Sequence, residues 1–144
     1  MKNEILRHSI ASIVYRFEKV IKNQEDSFGE FGLGSRSRTA NEIINHMFDV
    51  LHATRVFIEE ERFIKESSNA LSFSEEASRF KAECELIDRS LSHEELPVPY
   101  VKRLIQGPVS DIFTHIGQLS MMSRLNGRPK DWEDFSSAPI NKKS

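Results

Sequence analysis

Cysteine is almost absent from this chain of 144 residues: Cys84 stands alone, so no disulfide can form within it, and the scarcity fits a reducing compartment. A dominant charge is lacking as well. Twenty Lys and Arg face 22 Asp and Glu, a net charge of −2, which argues against nucleic acid or an anionic membrane surface as a partner. No apolar run approaches the ~20 residues of a membrane span, and the N-terminus is charged and amphipathic rather than a signal peptide. The expectation is a soluble, cytoplasmic protein. Strictly alternating apolar and polar residues are missing too, and no internal repeat is visible, so neither a sheet nor a solenoid organises the chain.

What is present is helical spacing. Leu6, Ile10, Ile13, Val14, Phe17, Val20 and Ile21 recur every three to four residues and predict a first helix over roughly residues 2 to 23. A long connection follows, with Gly29, Gly32 and Gly34 among Asp26, Ser27, Ser35 and Ser37. It reads as flexible and able to border a pocket. It lacks the Gly-Lys-Ser/Thr ending of a phosphate loop and follows a helix, which speaks against a nucleotide site. Thr39 with Glu42, and Ser72 with Glu75, are capping-box patterns that start helices two and three. Ile43, Met47, Val50, Leu51, Thr54, Phe57 and Ile58 form the inner stripe of the second, and Phe73, Ala77, Phe80, Cys84, Ile87 and Leu91 that of the third. Leu96-Pro-Val-Pro99 closes helix three. Helix four runs from near Tyr100 to about Asn126, where Gly127 and Pro129 supply a cap and a stop. The fold class is therefore all-α, with four helices of ~20 residues packed as one bundle domain over 1–144 and a polar tail from about 127 that frays.

The residues that carry chemistry concentrate in Asp111-Ile-Phe-Thr-His115-Ile-Gly-Gln118. Asp111 and His115 lie four apart, hence on one helical face, in a segment that otherwise reads as core. Burying both is costly unless something satisfies them, and a divalent metal satisfies a carboxylate and a neutral imidazole together. His46, three after Ile43 and four before Val50, shares the inward face of helix two, so His46, Asp111 and His115 can converge as three ligands with coordination positions left open. His8 and His93 read as exposed and His52 as flanking the core. A plainer reading stands beside this one: Asp111 follows Gly107-Pro108 and complements the dipole of a restarted helix, while the two histidines hydrogen-bond without metal. Pro108 also bends helix four one turn before Asp111. Gln118, one turn after His115, is placed to orient a ligand, and Asp49 and Glu42 are the only candidate bases near His46. Cys84 reads as a small core hydrophobe, Met121 and Met122 as core filling, Glu59 to Glu61 as a solvated face. Trp132 and Phe135 either fold back over the bundle end or stay exposed for a partner.

Two segments carry a family resemblance. Asn41-Glu-Ile-Ile-Asn-His46-Met-Phe-Asp-Val-Leu in helix two and His115-Ile-Gly-Gln-Leu-Ser-Met-Met-Ser-Arg-Leu-Asn-Gly127-Arg-Pro129 in helix four resemble the DinB/YfiT-like superfamily of metal-binding four-helix bundles, over nearly the full length. The resemblance implies a divalent metal held by His46, Asp111 and His115. One departure is that the commoner pattern has histidine where Asp111 stands, and a carboxylate remains a competent ligand. Two imidazoles and a carboxylate suit zinc, nickel, manganese or iron. Family activities include transferases that use low-molecular-weight thiols and hydrolases. The expected mechanism is a metal that lowers the pKa of a thiol or water and presents it to a small-molecule electrophile, with Gln118 in a supporting role. A ligand- or partner-binding bundle without catalysis, and a structural homodimer, are the rival readings, and all three share the fold.

Overall fold

The computed structural model describes residues 1–140, and every described element is helical or irregular. The helices are α1 (Glu4–Ile21), α2 (Ala40–Glu60), α3 (Phe73–Leu91), α4 (Val98–Leu104) and α5 (Ser110–Leu125), with 3₁₀ turns at Asp26–Glu30 and Phe135–Ser137. Both capping boxes form as the sequence indicates: Thr39 and Ser72 each accept from the backbone N–H three residues on, and Glu42 and Glu75 reach back to the cap N–H. Apolar stripes from all of these helices meet in one core around Phe17, Ile44, Met47, Phe80, Ile112 and Leu119.

The expected fourth helix is continuous but irregular. α3 already ends at Leu91 with Ser92 as its C-cap, so the proline pair does not close it as expected but opens α4, with Pro97 as N-cap and Pro99 in the first turn. Between α4 and α5 the backbone forms a π turn over Ile105–Val109 that contains Pro108. Pro108 has no N–H to give, and the Ser110 N–H and hydroxyl both return to the Ile105 carbonyl, the hydroxyl at 2.6 Å. The irregularity lies one turn before Asp111, where the sequence placed a bend.

Two segments are more ordered than their composition suggests. Phe28, in the 3₁₀ turn of the α1–α2 connection, is fully buried and meets Phe73 edge-to-face at 5.7 Å. The connection is thus fixed at its first half. The tail does not fray as expected over its described part. Glu133 accepts from the Tyr15 hydroxyl at 2.5 Å and pairs with Lys19 at 2.9 Å, and Phe135 meets Tyr15 edge-on, while Trp132 stays 86% exposed. Residues 141 to 144 of that tail lie outside the described residues.

Charge inside the fold is paired. Glu76, wholly buried, accepts from Asn45, Leu71 N–H and Arg79, and Glu83, 3% exposed, receives a two-pronged contact from Arg55 across the α2–α3 interface. Cys84 is buried as expected, and burial pushes its thiol pKa far above the ordinary value, with Glu83 and Glu85 acting in the same direction.

Candidate metal centre

Helix α2 carries His46 in its second turn, a placement fixed by the capping box at Thr39, and α5 carries Asp111, His115 and Gln118 along one stripe. The two helices pack so that the His46 and His115 rings face each other nearly perpendicularly, with centroids 5.0 Å apart. The stripe is not buried as the sequence suggested. His46 and His115 are half-buried, and Asp111 and Gln118 are exposed. The core is filled instead by Ile112, Ile116 and Leu119, one step around the helix, which leaves the polar stripe at the rim of the α2–α5 seam.

Partial burial lowers the pKa of His46 from its ordinary value, and the Arg38 cation and His115 act the same way, while Asp49 and Asp111 oppose them. A neutral imidazole keeps a lone pair for a ligand bond. His115 Nδ1 lies 2.9 Å from Gln118 Oε1. With a carbonyl oxygen as partner, Nδ1 donates, and the lone pair falls on Nε2, the nitrogen left for coordination. Gln118 therefore accepts from His115 and orients its ring, rather than donating to a ligand as the sequence suggested.

The donor set can be tested for fit against a metal. With Zn–N bonds of ~2.0–2.1 Å and the ring centre ~1.1 Å beyond the nitrogen, two imidazoles on one tetrahedral ion have centroids roughly 5 Å apart. The observed 5.0 Å between His46 and His115 matches that separation. Among the described residues no three His, Cys, Asp or Glu side chains already stand together at ligand spacing. Asp111 acts on His46 electrostatically and makes no hydrogen bond or ion pair with a described residue, so its side chain can turn toward the histidines without breaking a contact. The ring separation is compatible with two imidazoles on one ion; a third ligand requires a rotation of Asp111.

The two carboxylates considered as bases are engaged elsewhere. Glu42 is held in the capping box, and Asp49 accepts from the Ser68 backbone N–H at 3.1 Å. Two openings lie near the pair, one reaching Gln118 and the other His46. A cleft of about 500 Å³ is lined by Gln118, Met121, Leu33, Arg36 and Arg38, and a smaller cavity of about 370 Å³ by His46, Asn45, Asp49 and Arg38. Met121 is thus 61% exposed in a cleft wall rather than core filling, whereas Met122 is buried. Arg36 and Arg38 are the site residues that the sequence reading passed over. Their signal was position: Arg38 immediately precedes the Thr39 cap and Arg36 lies two residues further back, beside the first turns of the helix that follows.

Set against protein-family models, curated proteins and solved structures, the chain matches none. What the site can do therefore rests on its own geometry: two imidazoles with a third donor one turn away, a cationic and apolar cleft alongside, and Glu42 and Asp49 both engaged elsewhere.

Proposed function

We propose that the chain is a DinB-like four-helix bundle, its fourth rod built from α4, the π turn and α5, and that it works as a divalent-metal-dependent enzyme. His46, Asp111 and His115 are the ligands, and zinc, nickel, manganese or iron the candidate ions. The observation that carries the reading is the 5.0 Å approach of His46 and His115 from two different helices. A metal there would supply Lewis acidity, lowering the pKa of a thiol or water enough to make it a nucleophile at neutral pH. The chain's own part is then to hold and to shape. Gln118 fixes the tautomer of His115, and Arg38, which borders both cavities, draws an anionic group of a small-molecule substrate or thiol toward the histidines. Because Glu42 and Asp49 are occupied, the reading assigns no separate general base.

Elemental analysis of the purified, untagged chain beside His46→Ala, His115→Ala and His93→Ala tests this. Near-stoichiometric metal in wild type and His93→Ala, lost in the other two, is the expected result and justifies screens for thiol transfer and hydrolysis. No metal in wild type after reconstitution, or equal loss in all three variants, overturns the site and leaves a ligand-binding bundle.

A further inference from the structure

A second cleft, of about 650 Å³, opens between α1, α5 and the returning tail, on the side of α5 turned away from His115. Its floor is apolar, for Val20 and Ile116 belong to the core and Phe113 packs against it. Its rim is cationic. Arg16 and Lys130 converge on one aromatic ring, with the Arg16 Cζ 4.3 Å and the Lys130 Nζ 5.0 Å from the Phe135 centroid. Neither forms an ion pair or hydrogen bond with a described residue, and no Asp or Glu lines the cleft. Of the neighbouring tail acids, Glu133 is bonded to Tyr15 and Lys19 while its charge also acts on Lys130, Asp134 is bonded to Ser136, and Asp131 lies outside the cleft lining. Arg16 and Lys130 both border the opening above an apolar floor, so an anion there is attracted by both.

Space is available for such a ligand. Gly117 has nothing within 4 Å of where its Cβ would lie, so that wall is open, and the volume falls in the ~300–1,000 Å³ range of small-molecule sites. We infer that this cleft binds a small amphiphilic anion, a carboxylate or phosphate head on a short apolar body. Arg16 and Lys130 hold the head, and the body lies over Val20, Phe113 and Ile116. The site shares no residue with His46, Asp111 and His115 and stands whether or not that centre takes a metal.

Titration calorimetry of the full chain with octanoate, octyl phosphate and octanol, each below its micellar concentration, tests the inference. Both anions should bind saturably at one site and octanol at least about 10-fold more weakly, the size of one charge-assisted contact. The tighter of the two anions identifies the head group. Arg16→Gln with Lys130→Gln should reduce anion binding to the octanol level, Arg16→Lys alone should keep most of it, and His46→Ala should leave it unchanged. Gly117→Leu, which fills the cleft on a helix that tolerates the change, should abolish binding of all three. Equal affinity for octanol and octanoate, anion binding that survives the double substitution, or no saturable binding would each overturn the proposal.

Discussion

Replacing Arg55 by Met isolates what a single guanidinium does between α2 and α3. Glu83 is 3% exposed, and Arg55 meets it through Nε and, at 3.2 Å, through Nη2. Without Arg55, the nearest cationic side chain is His52, whose Nδ1 is 3.7 Å from Glu83 Oε1 and which is charged only when protonated. Stranding a buried carboxylate in this way costs about 3–5 kcal/mol, out of a total of roughly 5–15 kcal/mol for a domain. At about 2–4 °C per kcal/mol for a chain of this size, the melting midpoint should fall by about 10 °C. Urea denaturation followed by circular dichroism at pH 8 measures this, with Arg55→Met/Glu83→Leu as the control that removes the stranded charge. A deficit below about 1 kcal/mol at pH 8, or a double variant less stable than the single one, would refute the account of the pair.

Other outcomes follow from single contacts. Phe28→Ala empties a fully buried site against Phe73 and should cost about 3–5 kcal/mol in the same denaturation assay, although the residue lies in a connection rather than a helix. Cys84 should resist thiol reagents in the native protein and react fully in denaturant, since burial holds its thiol protonated; rapid native labelling would contradict its place in the core. Glu133→Ala removes the partner of both Tyr15 and Lys19, so trypsin should cut after Lys130 faster than in wild type while the helical core remains intact.

The helices were readable because their starts are written in local chemistry. Thr39 with Glu42 and Ser72 with Glu75 satisfy backbone groups within a few residues, and nothing distant decides whether they form. The meeting of His46 with His115 was readable at one remove, since each lies in a helix whose inner stripe was plain. Their depth was not. A stripe of Asp111, His115 and Gln118 beside one of Ile112, Ile116 and Leu119 leaves open which of the two faces inward, and packing against α2 settles that choice. The order of the α1–α2 connection was hidden for a different reason, and the fold-back of Phe135 was one of two readings left open for the tail. Phe28 and Phe135 are isolated aromatics in polar segments, and their partners, Phe73 and Tyr15, stand 45 and 120 residues away along the chain. Only tertiary contact gives such residues a role.

The π turn at Ile105–Val109 acts as a phase setter for everything after it. A wide turn holds one residue more than the α-helical path it replaces, and on a helix one residue corresponds to about 100° of rotation. Deleting Pro108 would let α4 and α5 join as regular helix and would turn Asp111, His115 and Gln118 together, away from His46 and toward a neighbouring seam. The same rotation would carry Arg16's neighbour Phe113 out of the second cleft. The histidine pair and the second cleft thus both depend on the length of one short irregular segment built around Pro108.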